Sequence, residues 1–583
     1  MELKCILNNR LMRKGSKLYL LLIALFTTSI IQAQLLTPKE SFNKADTLRG
    51  SNNGNKDWWD VLHYAINITP DIKNKTISGS CSIKFKVLQI GKTMQIDLQD
   101  SLIIDKIIIN GGNNHPLDTT SLTYSKSEGV YLVTIPELIK NSQATLIINY
   151  HGKPREAISP PWDGGWIWAK DSLGNPWISV ACQELGASSW YPCKDMQGDK
   201  PDFGATIQIQ LPDSLICVSN GICEKTDRYI NTISPPINLK ENKSANTNWH
   251  VRNPINNYNI VPYIGKYANF RDTILGEDGK LNLSYWVLKY NLEKAKKQFV
   301  QVKPMIHCFE YWFGKYPFYN DSYKLIEAPY LGMEHQSAIG YGNGFQNGYK
   351  GTDLSSSGWG KKWDFIIVHE SGHEWFGNSI TANDIADLWI HEGFTMYSEV
   401  LYTQWLFGIE AGNDYCFGLR KRILNDKPMI GPYGVNKEGS GDIYYKGANM
   451  IHIIRNIINN DTLFRKILRG LNTTFYHQTV STQQIETYIN QKANIDFRKV
   501  FDQYLRTIQI PTLHYNIKKA EGRISINWTN CIDGFNMPLT IPVSGKRIQI
   551  TTESKEMALS KEELAWFKKD IIERHYYIST RQN

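Results

Sequence analysis

Residues 363–378 read WDFIIVHESGHEWFGN. His369 and His373 stand four apart, so on a helix they project from one face, one turn from each other. Two neutral imidazoles placed that way can share one Zn²⁺. Glu370 sits beside the first of them, where its carboxylate can take a proton from an attacking water without binding the metal. A catalytic zinc takes three protein ligands. Residues 389–399, WIHEGFTMYSE, supply the candidate third in Glu392, nineteen residues beyond His373. The spacing predicts one metal ion per chain, held by His369, His373 and Glu392, on a pair of helices.

Outward from this segment the chain changes character twice. From residue 57 to about 270, short alternating runs such as INITPDIKNKTISGSCSIKFKVL, ATLIINY (144–150) and ATIQIQL (205–211) predict an all-β domain. Ser78–Gly79 reads as one of its turns. Residues 271–508 carry apolar spacing of three or four over 291–314, 361–378, 390–408, 446–458 and 461–472, and Ser481 to Gln484 is a capping box opening another helix. Residues 509–583 return to strands (RISINW, PLTIPV, KRIQITT), with one charged helix expected over 561–574. The expected fold is multi-domain α+β.

Composition agrees with a globular protein. The 583 residues are 42% hydrophobic and 21% charged, enough apolar material for several cores. The net charge of +9 is spread along the chain without a basic block, so nucleic acid is not an expected partner. At the N-terminus Arg10, Arg13, Lys14 and Lys17 precede LYLLLIALFTTSIIQA (18–33). Basic residues, an apolar run shorter than a bilayer span and a small residue at Ala33 read as a secretory signal over 1–33, followed by a linker over 34–56. The mature protein is then expected to be periplasmic or secreted, with no integral membrane segment. Cys217 and Cys223 are the closest cysteines, and either a disulfide or free thiols fit the sequence.

H-E-x-x-H-x-W-F-G-N followed by L-W-x-x-E-G-F resembles the aminopeptidase N and leukotriene hydrolase family of zinc metallopeptidases, the gluzincins. Outer segments are similar too: WDVLHYAINI (59–68), SSWYPCKD (188–195) and YNIVPYIGKY (258–267), so that the likeness covers about residues 57–545. The resemblance implies an N-terminal β-saddle, a thermolysin-like and mainly helical catalytic domain, and a small C-terminal β-sandwich. Because the sequence ends soon after Arg506, the large C-terminal helical domain of longer members is expected to be absent.

The resemblance also assigns residues. LGMEH (331–335) is similar to the family's G-x-M-E-N, so Glu334 would bind a substrate's free α-amine, with the backbone of Gly332 and Met333 running beside the peptide. Leu331 and His335 depart from that motif, in place of Gly and Asn. Gln183, ten residues before Cys193, matches a residue that shares the amine. IYYKGANMI (443–451) is similar to Y-x-K-G, making Tyr444 the donor to the oxyanion, with Tyr445 as the neighbouring phenol. Glu399 and Asp387 match polar positions around Glu392 and would support the metal ligands. The implied activity is a zinc aminopeptidase acting on peptides with a free N-terminus. A zinc endopeptidase without N-terminal anchoring, and a catalytically silent peptide-binding protein, are the alternatives.

Overall fold

The computed structural model describes residue 42 and residues 44–52, 54–111, 121–230 and 243–582. The proposed signal and residues 34–41, 43 and 53 of the linker lie outside them. Ala45–Asn583 forms one compact unit. Among the described residues no helix is long and apolar enough to cross a membrane.

The N-terminal part is all β, as expected. Its main sheet has seven strands in the order Ile222–Ile230, Lys243–Val251, Ala205–Pro212, Trp59–Asp71, Thr76–Val87, Gln143–Gly152, Leu102–Asn110. Alternation along Trp59–Asp71 sends Trp59, Val61, Tyr64, Ile66 and Ile68 into the core. That strand pairs parallel with Ala205–Pro212, while the other neighbours run antiparallel. The turn joining Trp59–Asp71 to Thr76–Val87 lies at residues 72–75. Ser78 and Gly79, read from sequence as a turn, instead sit inside the second strand opposite Thr69 and Ile68. A side chain at Gly79 would run into the Asn67 carbonyl, so this glycine serves close strand approach rather than chain reversal.

Every described cysteine is free. Cys217 is buried on Ile216–Val218 in a second, four-stranded sheet, whereas Cys223 is exposed on the edge strand of the main one. The two lie in different sheets and are not bonded to each other.

The catalytic region starts with a hairpin, Tyr267–Gly276 and Gly279–Leu288. It joins a five-stranded sheet through parallel pairing of Gly279–Leu288 with Tyr323–Glu327. Ile339–Tyr341 follows, and Gly332–Met333 forms the free edge. Helices pack against this sheet, and their core runs without a break into the C-terminal module through Leu513, Ile526 and Trp528. That module holds a four-stranded sheet and a two-stranded hairpin. The single helix expected at its end is two short ones, Lys561–Trp566 and Lys569–His575. The first is closed by a capping box between Ser560 and Glu563, and residues 567–568 break the run.

Candidate active site

The metal-motif helix is only eight residues long, Phe365–Gly372, shorter than its apolar pattern suggests. Asp364 caps it by accepting from Ile366 N and Ile367 N. It ends beside His373, because the chain turns at Gly377, whose φ of 132° lies in glycine territory. This turn carries the W-F-G-N part of the motif, and it has a function of its own. The Phe376 carbonyl lies 3.0 Å from His373 Nδ1. Asn378 Nδ2 donates to the Glu334 carbonyl at 2.7 Å and to Glu374 Oε1 at 2.9 Å, while Glu374 accepts from Ser337 N. The turn therefore grips the loop that bears Glu334.

Glu392 arrives from the second helix, Trp389–Phe407. Tyr444 comes from the start of a third, as the residue preceding Tyr445–Ile458. Gly393 and Gly447 bring these two helices together: a Cβ on Gly447 would lie 2.9 Å from Gly393 Cα. The glycine of E-G-F and the glycine of Y-x-K-G are thus two sides of one backbone contact. It sets Tyr444 over the metal ligands, its ring 6.1 Å from His369 and tilted 23°.

The three candidate ligand atoms converge. Glu392 Oε2 lies 3.3 Å from His373 Nε2 and 3.6 Å from His369 Nε2, and all three lie within 4.8 Å of one another. Glu392 Oε2 is buried and has no hydrogen-bond partner. Both outer ring nitrogens are engaged, His369 Nδ1 with Glu399 Oε1 at 2.6 Å and His373 Nδ1 with the Phe376 carbonyl, so each Nε2 faces the shared point. Two imidazoles and one carboxylate, buried and oriented from behind, fit a tetrahedral zinc with one position open.

Charge at the site follows from the same geometry. Burial works against a charged His369, but Glu392 and Glu399 outweigh it and hold the imidazole well above its usual range. His373 is likewise raised, to about 8, burial being overcome by Glu392. Glu392 feels the opposite: against burial, the two imidazoles hold its carboxyl well below the ordinary range. The site favours a cation. Burial lifts Glu370 to about 7, and it raises Glu334 as well. Burial keeps the Tyr444 phenol protonated far above its usual range, so that it remains a donor.

These groups line a cavity of about 450 Å³. Glu334 and Gln183 face it together with Glu370 and Tyr444. Glu334 is 4% exposed and accepts from Tyr258 OH at 3.0 Å. Gln183 contributes an amide nitrogen with no protein partner. Gly332–Met333 is an edge strand paired on one side only, with Ile339–Tyr341. A Cβ on Gly332 would stand 2.6 Å from Glu370 Oε1. Leu331 lines the cavity wall. His335 does not reach it: the ring is buried against Tyr263 OH at 2.6 Å, and burial lowers it to about 3, so it is neutral. Tyr445, the neighbouring phenol, also lines the cavity.

Asp387 is a correction. It accepts from Tyr433 OH, Thr482 N and Thr482 Oγ1, which anchors the start of the helix Thr482–Ala493 and leaves the metal ligands without its help. Its short side chain, in a 3₁₀ turn before the Glu392 helix, points to a helix N-terminus instead. Tyr258, Glu374 and Asn378 went unnoticed in sequence. The signal was present for all three, since Tyr258 opens the quoted segment 258–267 and the other two stand inside 363–378.

Comparison with known proteins adds the following. The Peptidase family M1 domain matches residues 291–504, and the Peptidase M1 N-terminal domain matches residues 61–234. Leukotriene A-4 hydrolase of Xenopus laevis is 21% identical over 505 residues, covering 80% of this chain and 75% of the relative. Probable aminopeptidase 2 of Sulfurisphaera tokodaii is 21% identical over 493 residues, 78% of this chain but only 58% of its own length. A variant of the M1 zinc metallopeptidase from Deinococcus radiodurans, solved with a Tyr-Ser-Ala substrate, superposes with a TM-score of 0.61 at 18% identity, over 78% of this chain and 95% of that one.

Proposed function

Because the chain belongs to peptidase family M1, whose solved relatives are zinc metallopeptidases, we propose that it is an aminopeptidase that removes single residues from peptides with a free N-terminus. The observation that carries this reading is Glu334. A carboxylate 4% exposed, one residue past a free sheet edge and in the same cavity as Glu370, is suited to an ammonium and to little else. A peptide that pairs with Gly332–Met333 as an added strand brings its amine to Glu334 and Gln183. Its first peptide bond then lies beside Glu370 and Tyr444.

His369, His373 and Glu392 would hold one zinc, which supplies a Lewis acid beside the scissile carbonyl when bound. Glu370 takes the proton of the attacking water and gives it to the departing amine. Tyr444, protonated throughout, donates to the oxygen that gains charge in the transition state. The tripeptide bound by the Deinococcus radiodurans relative supports a peptide as substrate.

The test is release of arylamine from an aminoacyl-arylamide by wild type and by Glu334→Ala, beside cleavage of an N-acetylated peptide. Loss of the first activity in the variant, with no cleavage of the blocked peptide by either protein, supports the reading. Efficient cleavage of the blocked peptide favours an endopeptidase. The basic and then apolar residues 10–33 support export, and the mass of protein recovered from a secreting host should lack residues 1–33.

A further inference from the structure

The turn that carries Gln183 is held from outside. It follows the strand Pro176–Ala181 and is closed by one hydrogen bond of its own, from Gly186 N to the Cys182 carbonyl at 2.8 Å. The next two carbonyls are taken by side chains distant in sequence. Asn436 Nδ2 donates to the Glu184 carbonyl at 3.0 Å, and Arg49 Nη1 donates to the Leu185 carbonyl. Arg49 and Asn436 are themselves joined. The Asn436 N–H donates to the Asp46 carbonyl at 3.0 Å, and a side chain at Gly50 would run into the backbone of Val435 and Asn436. Three segments therefore meet in one knot: the helix Lys44–Gly50, the turn at 183–185, and the catalytic-domain loop at 435–436.

A helix of seven residues does not hold its shape alone, so its anchor matters. Lys56 supplies it. Fully buried, it pairs with Asp97 Oδ2 at 2.9 Å and donates to the carbonyls of Leu48 at 3.0 Å and Arg49 at 3.3 Å, at the end of the helix. Gln95 Nε2 donates to the same Leu48 carbonyl at 3.0 Å and to Asp97 Oδ1 at 2.8 Å. Behind Gln183 lies a small void of about 50 Å³, walled by Arg49, Gly50, Asn257, Tyr258 and Asn436. Gln183 lines both this void and the catalytic cavity, whereas Arg49 lines the void alone. With a void at its back, the turn takes its position from hydrogen bonds rather than from close packing. Tyr258, on the same wall, is the donor to Glu334. The helix thus stands behind both groups that a substrate amine would meet.

We propose that Lys44–Gly50 is a strap for substrate recognition, in which Arg49 and Asn436 are positioning residues that hold Gln183 toward the substrate's α-amine. This rests on the aminopeptidase reading above and adds what sets the amine site from outside the cavity. The oxygen of a side-chain amide accepts from an ammonium, but only at hydrogen-bond distance. A shift of the turn by about 1 Å therefore weakens that contact. Glu334 and the metal ligands stand on other elements, so the effect is confined to the amine.

The experiment uses the zinc-loaded full chain with leucine arylamide as substrate and two inhibitors, leucine hydroxamate and its des-amino analogue, 4-methylpentanoyl hydroxamate. In Arg49→Ala the KM for the arylamide and the Ki of leucine hydroxamate are expected to rise about three- to tenfold, the size of one lost hydrogen bond. The Ki of the des-amino analogue, kcat and zinc content stay within about twofold of wild type. Arg49→Lys keeps a donor for the Leu185 carbonyl and recovers part of the loss. Asn436→Ala releases the turn from its other side and should show the same loss confined to the amine. In a Gln183→Ala background Arg49→Ala adds nothing, because the two act as one unit. Equal weakening of both hydroxamates overturns the proposal, since that is general loosening. So does an Arg49→Ala effect that multiplies with that of Gln183→Ala, or a Gln183→Ala protein that binds leucine hydroxamate as wild type does. Failure of wild type to release arylamine would instead strike at the aminopeptidase reading itself.

Discussion

His369 Nδ1 lies 2.6 Å from Glu399 Oε1, both side chains buried, and the second oxygen of that carboxylate accepts from Tyr415 OH at 2.6 Å. The carboxylate fixes which ring nitrogen carries the proton and turns the other toward Glu392. Replacing it should loosen the metal rather than the fold. Glu399→Gln is expected to weaken zinc binding about 10–100-fold, the usual range for a group behind a ligand. Competition with a chromogenic chelator measures this. Unchanged affinity would mean that the contact only fills space.

Tyr444 offers a sharper separation of roles. Its phenol is kept protonated by burial, and its ring lies 6.1 Å from that of His369. Tyr444→Phe should therefore lower kcat by about 10²–10³, the effect of deleting one oxyanion donor, roughly 2.7–4 kcal/mol. KM and zinc content should stay near wild type. A comparable loss in Tyr445→Phe, with Tyr444→Phe active, would reverse the assignment between the two phenols.

Gly332→Ala tests the fit between sheet edge and base. The added methyl would stand 2.6 Å from Glu370 Oε1 and 3.0 Å from Ile366 Cδ1, so either the strand or the carboxylate must move. A general base displaced by about 1 Å costs on the order of 10²-fold in rate. We expect that loss in kcat with a full complement of zinc, read by metal analysis of the same preparation. Activity within a factor of two of wild type would show that the strand yields instead.

The sequence carried the metal ligands because their chemistry tolerates few spacings: two histidines one helical turn apart leave little room for other readings. It carried the strands because alternation is written in the residues, as along Trp59–Asp71. It did not carry what depends on contact between distant segments. Nothing about Asp387 distinguishes a carboxylate behind a metal ligand from one that anchors the Thr482 helix, 95 residues away. Ser78–Gly79 has the composition of a turn, and only the register against Ile68 reveals a strand. Gly393 and Gly447 looked like motif letters until the two helices met. Tyr258 opens the quoted segment 258–267, but nothing in that segment shows that its hydroxyl donates to Glu334, 76 residues away.

Lys200 ties the N-terminal domain to the metal segment, and its burial makes that tie sensitive to pH. Its ammonium donates to the Asn378 carbonyl at 2.6 Å and to Thr381 Oγ1 at 3.0 Å, just past the turn that holds His373 and Glu334. Burial lowers it to about 7, whereas an unfolded lysine keeps its proton to about 10.4. Between these values unfolding takes up a proton, so rising pH favours the folded state. The cost of burying the charge is fully present below about 7 and fades toward pH 10. Lys200→Met removes the group and with it this dependence. Wild type should therefore gain stability relative to the variant between pH 7 and 9.5, by on the order of 1 kcal/mol per pH unit at most. Thermal unfolding of both proteins across that range measures it. Parallel Tm profiles would mean that water reaches the ammonium and that Lys200 titrates like an exposed lysine.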